Sequence, residues 1–137
     1  MEITMSISAL SLMKNSTGGT TTGGAAMALS SDGVEVKNGV HVADMSEEDF
    51  TLRTNMTLKT RNPVRQPDGS YSKAKRWGTI VVPAELEDGS ISFDLVRIEI
   101  ESHPKTTGAA LTNLHMLGAQ FFTDADLADF RNNGSLA

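Results

Sequence analysis

Apolar and polar residues alternate through much of the first hundred positions. Residues 3 to 13 place Ile3, Met5, Ile7 and Ala9 on one side and Thr4, Ser6 and Ser8 on the other, before Leu10 and Leu12 change the phase. That predicts a strand that ends or bulges there. Asn15 to Gly24 is built of Asn, Ser, Thr and Gly and reads as a loop. Asp32-Gly33 and Asn38-Gly39 are turn signals around Val34 to Lys37, and Val40-His41-Val42 follows, so short hairpin-linked strands are expected around residues 25 to 43.

From Phe50 to Arg61 a period of two separates Phe50, Leu52, Thr54, Met56 and Leu58 from Thr51, Arg53, Asn55, Thr57, Lys59 and Arg61. The second set is entirely polar and half cationic. Pro63, Pro67 and Asp68-Gly69 mark a long turn before a second strand, from about Tyr71 to Val82. Lys73, Lys75, Trp77 and Thr79 fall on its polar side, and Gly78, Ile80 and Val82 on the other. Pro83 and Asp88-Gly89 announce the next turn. A third strand, Ser90 to Ser102, sets Val96, Ile98 and Ile100 against Leu95, Arg97, Glu99 and Glu101.

The period lengthens after Thr106. Ala110, Leu111, Leu114, Leu117, Gly118 and Phe121 recur at spacings of three and four, and Thr106 or Thr107 can serve as N-cap, which predicts an amphipathic helix over 107 to 122. A short second helix follows, capped by Thr123 or Asp124, with Leu127 and Phe130 on its apolar side and Gly134 at its end. The fold class is therefore α+β: an antiparallel sheet of about six strands, over roughly residues 1–103, and two C-terminal helices, over roughly 106–134. At 137 residues all of this fits one domain.

Six strands at ~4.8 Å spacing make an apolar face roughly 29 Å wide, of which one helix covers about 10 Å. The surplus predicts self-association, with two copies joining sheet edges and each laying its helices across the other's sheet. Leu111, Leu114, Leu117 and Phe121 are the candidate dimer-interface residues, with Met116 and Phe122 as further core or interface positions.

Charge changes the picture. The chain carries a net −5, but residues 50 to 82 hold seven cations against the single anion Asp68, a net of +6, which leaves −11 for the rest. A cationic surface opposed by acidic ones suits a polyanionic partner; the plainer alternative is a solvated basic hairpin. Cysteine is absent, which excludes disulfides, thiol nucleophiles and cysteine-held zinc. His41, His103 and His115 have no convergent spacing for a metal, and Glu85, Glu87 and Asp88 read as a solvated turn. Neither a Gly-x-Ser-x-Gly elbow nor a phosphate-cradling Gly-x-x-x-x-Gly-Lys occurs, so no enzyme chemistry and no cofactor are expected. The first residues lack a basic stretch followed by a long apolar run, so no signal peptide or spanning helix is predicted and no membrane partner is expected.

The order of elements resembles the coat proteins of single-stranded RNA bacteriophages, the leviviruses. The likeness rests on an N-terminal hairpin, the polar-faced stretch Leu52 to Arg61, a basic strand ending in Pro83, Leu95-Val96-Arg97-Ile98-Glu99-Ile100, His103-Pro104, and a long then a short helix. The resemblance implies a non-enzymatic virion protein, assembled in the bacterial host cytoplasm, whose interlocked homodimers close an icosahedral shell around genomic RNA. It also implies binding of an RNA stem-loop at the replicase start, repressing translation. The sheet face away from the helices would hold the RNA: Arg53, Asn55, Thr57, Lys59, Arg61, Lys75, Trp77, Thr79, Arg97 and Glu99. Glu99 is unexpected beside phosphates and is placed to orient Arg97. Trp77 either packs or offers a stacking face. The competing reading is a small β-sheet ligand-binding or interaction module without RNA.

Overall fold

A computed structural model describes residues 7–137 of the chain; the alternation through Ile3 and Met5 lies outside the described residues. Six strands, β1 (Ala9–Lys14), β2 (Ala25–Ser31), β3 (Gly39–Ala43), β4 (Asn55–Arg61), β5 (Ala74–Glu85) and β6 (Ile91–Ser102), form one antiparallel sheet in sequential order. Two helices follow, α1 (Gly108–Thr123) and α2 (Ala128–Asn133). No helix among the described residues is long and apolar enough to cross a membrane.

Several boundaries differ from the sequence expectation, among them the start of β5, at Ala74 rather than about Tyr71. Val34 to Lys37 is not a strand but part of the β2–β3 connection, because Gly33 (φ +86°) and Asn38 (φ +57°) both adopt left-handed backbone. Asp32 Oδ1 takes the Val34 N–H at 3.1 Å, which holds the bend. Phe50–Leu52 is a 3₁₀ turn, and β4 starts only at Asn55. Here Asp49 Oδ1 accepts from the Thr51 N–H at 3.0 Å and from its hydroxyl at 2.6 Å, a local arrangement that competes with sheet pairing. Finally, β5 runs through Pro83 to Glu85. Its pairing with β4 ends at Val81, so Pro83 sits where β5 has a neighbour on one side only and the missing N–H costs no ladder bond.

The chain divides into two compact units. One takes in the residues up to Leu12 together with Ala26–Pro104, and the other Met13–Ala25 together with Lys105–Ala137. In the first, the sheet buries Leu29, Val42 and Met56, with Leu10, Leu12, Met27, Leu58 and Ile80 packed around them. The core is thus centred on β2, β3 and β4. Two tight turns in this unit share one construction: Asp68 and Asp88 each accept from the N–H and hydroxyl of the serine two residues on, and Gly69 and Gly89 supply the positive φ between them. In both aspartates the side-chain hydrogen bond from that serine is the main cause of a pKa held below 3.8.

In the second unit Thr107 caps α1 by accepting the Ala110 N–H at 3.2 Å, and Asp124 accepts the Asp126 N–H at 2.8 Å ahead of α2. Arg131 turns back from α2 and donates to the carbonyls of Phe121 (3.0 Å) and Asp124 (2.7 Å), satisfying acceptors that the end of α1 leaves open. Phe121 meets Phe122 and Phe130 edge-on, at 5.1 and 6.1 Å between ring centres. Gly134 ends α2 in the left-handed region, as its position after the apolar pattern predicts.

Candidate nucleic-acid interface

Cross-strand register decides which side chains share a face. Thr57 pairs with His41 on one side and Thr79 on the other, and Thr79 pairs with Arg97. The next row is Lys59, Trp77 and Glu99; the one beyond is Arg61, Lys75 and Glu101. Asn55 heads the set, opposite Val81 and then Leu95. Residues in direct register lie on one side of the pleat, so nine of the ten residues assigned to the RNA face occupy a single surface of β4, β5 and β6. Arg53 stands apart. It follows the 3₁₀ turn rather than belonging to β4, and its Nε donates to the Glu47 carbonyl at 2.8 Å.

The ionic pattern on this face also departs from expectation. Glu99 does not orient Arg97: its Oε1 lies 2.6 Å from Lys75 Nζ, and Glu101 Oε1 lies 3.7 Å from the same ammonium. Lys75 Nζ also sits 5.5 Å from the centre of the Trp77 ring, a cation–π distance. Among the described residues Lys59, Arg61 and Arg97 take part in no ion pair. The Trp77 ring is partly exposed, between a lysine and a glutamate in register.

The opposite face is mainly apolar, with Thr60 and Arg76 in the row of Ile100. Met56, Leu58, Ile80, Ile98 and Ile100 line a trough of about 590 Å³. Gly78 keeps it open, since a Cβ there would stand 3.0 Å from the Leu58 side chain. On α1, no residue is buried: Leu114, Leu117 and Phe121 are 44%, 56% and 40% exposed, while Leu111 is partly covered. Among the described residues no three His, Asp or Glu side chains converge on a metal position.

No protein-family model matches the sequence, and no curated protein does either. Solved structures do. The virus-like particle of bacteriophage GQ-907 is 37% identical, with a TM-score of 0.77 over 90% of this chain and 96% of that one. The chain belongs to the coat proteins of single-stranded RNA bacteriophages. Two other particles share the coat-protein fold at far lower identity: bacteriophage AVE019 (12%, TM-score 0.69, 98% of this chain and 97% of that one) and Beihai levi-like virus 21 (11%, TM-score 0.69, 97% and 98%). The coat protein is accordingly a structural capsid protein and not an enzyme.

On the coat protein's polar face, His41 escaped the sequence reading, and Glu101, placed there by the alternation, was not assigned to the RNA site. Glu101 was legible as polar, but its role opposite Lys75 depends on register. His41 completes the Thr57–Thr79–Arg97 row, and its Nδ1 lies 2.9 Å from Asp32 Oδ1. Burial raises the Asp32 carboxyl; the His41 hydrogen bond, the Val34 N–H and the charge of His41 outweigh it and hold the group below 3.8. The signal for His41 was present in Asn38-Gly39, which starts β3 in register with Lys59.

Proposed function

We propose that this coat protein dimerises through its apolar surfaces, self-assembles into an icosahedral shell in the host cytoplasm, and packages single-stranded RNA against the polar sheet face. The observation that carries this reading is the two-sidedness of one sheet. Lys59, Arg61 and Arg97, with hydroxyls and an amide from Thr57, Thr79 and Asn55, line one surface, and an apolar trough lies on the other.

The cations would neutralise phosphates, giving attraction that is independent of sequence and falls with salt. Asn55, Thr57 and Thr79 have the donors and acceptors to read unpaired bases, and Trp77 offers a stacking surface worth ~1–3 kcal/mol per base. Those are the elements that binding a stem-loop as translational repressor requires. On the other side, helices of a second copy would cover the trough while the exposed stripe of α1 loses its contact with water. Joining two β6 strands would also remove a twelve-residue open edge.

Size-exclusion chromatography of the expressed chain, monitored at two wavelengths, tests the proposal. Megadalton particles rich in nucleic acid are expected; a small dimer free of nucleic acid would favour a ligand-binding module. Lys59→Ala with Arg61→Ala should lower RNA retention and flatten its salt dependence while leaving particles intact. Unchanged retention would move the RNA off this face.

A further inference from the structure

We infer that Glu99 and Glu101 neutralise Lys75 and fence the RNA backbone off this stretch of β6, so that Lys75, although a cation on the RNA face, contributes no phosphate contact. The inference rests on the RNA reading above and adds to it a limit on where the backbone runs.

Lys75, Glu99 and Glu101 stand together with one positive and two negative charges, a local balance of −1. A phosphate approaching the ammonium also approaches both carboxylates, and reaching Lys75 would exchange a 2.6 Å contact for a new one while leaving two acids uncompensated. The geometry explains why the acids are there. Arg61 and Lys75 are directly opposite across β4 and β5, and like charges in register repel; Glu101, in register on the far side of Lys75, offsets this. The Lys75 ammonium is further occupied by the Trp77 ring. Trp77 therefore has an unpaired cation, Lys59, on its β4 side and a carboxylate, Glu99, on its β6 side. A base stacked on Trp77 has its backbone drawn toward Lys59 and Arg61 and pushed away from Glu99.

The test is a double-mutant cycle on the full chain, kept at concentrations where it is unassembled, with a fluorescein-labelled oligouridylate as probe and affinity followed against salt. Lys75→Ala should leave the salt slope of the native protein unchanged. Glu99→Gln with Glu101→Gln, isosteric at exposed positions, should steepen the slope by about 0.7, one single-strand phosphate contact, or roughly a threefold greater loss of affinity between about 50 and 200 mM salt. Adding Lys75→Ala to that pair should return the native slope. A flatter slope for Lys75→Ala in the native background would overturn the fence and leave the RNA reading standing. Steepening by the double glutamine variant that persists without Lys75 would overturn it too, as a bulk charge effect. Native protein without salt-dependent binding would remove both readings together.

Discussion

Val42 and Val96 lie in the same cross-strand row on the same face of one sheet, joined through Met56 and Ile80. Val42 has no exposed surface, and Val96 keeps 41% of its own. The residue type is identical, so the difference is one of coverage. Leu10, Leu12, Met27 and Leu29 pack over β3 and β4, whereas β6 is the edge of the sheet. Register puts both valines on the same face; only Val42 is fully covered by its own chain. The same contrast separates the sheet centre from α1, whose apolar stripe is regular and yet half in water. A coat protein that carries more apolar surface than it covers has surface left for the proposed association to bury.

If that surplus is for association, breaking it should have the largest effect. Leu114→Asp with Leu117→Asp should abolish dimers and particles in analytical ultracentrifugation, with circular dichroism of the chain retained. Each leucine is worth about 1.5–3 kcal/mol when fully buried, and a two-fold interface counts every change twice. The paired valines come next. Val42→Ala should destabilise the unassembled chain by about 2–3 kcal/mol in urea titration, and Val96→Ala by under about 1 kcal/mol. Equal losses would erase the contrast.

Smaller still is Thr107→Ala, which removes the α1 cap and should cost about 1 kcal/mol in the same titration. The smallest effect is that of pH on the two aspartate turns. Asp68 and Asp88 have folded pKa values below their unfolded 3.8, so their contribution is complete above that value and disappears as pH falls through the folded pKa. NMR titration of the carboxyl signals should give midpoints below 3.8 for both, and the turns should add no pH dependence from roughly pH 8 down to pH 5.

Much of this architecture could be read from pattern. The periods of two and of three to four located β4, β5, β6 and both helices, and the Thr107 cap and Gly134 stop were visible as residue types at the right offsets. Asp-led turns were the weak point. Asp49 takes Phe50–Leu52 out of an alternation that otherwise continues into β4, and so takes Arg53 off the strand. Asp32 and Gly33 do the same for Val34 to Lys37. A side chain that satisfies backbone donors locally leaves no mark on hydrophobic periodicity. The face composition was legible because period two is strict, but partner choice was not. Glu99 is one row from Arg97, and the structure gives it to Lys75, two residues earlier on the neighbouring strand than its register partner Trp77.

Cryo-electron microscopy of the assembled particle at side-chain resolution tests the central claim most directly. Lys59, Arg61 and Arg97 should face the interior and abut RNA density, with a second copy's α1 lying across the apolar trough. Those three cations on the outer surface of the shell, or covered by helices, would contradict it.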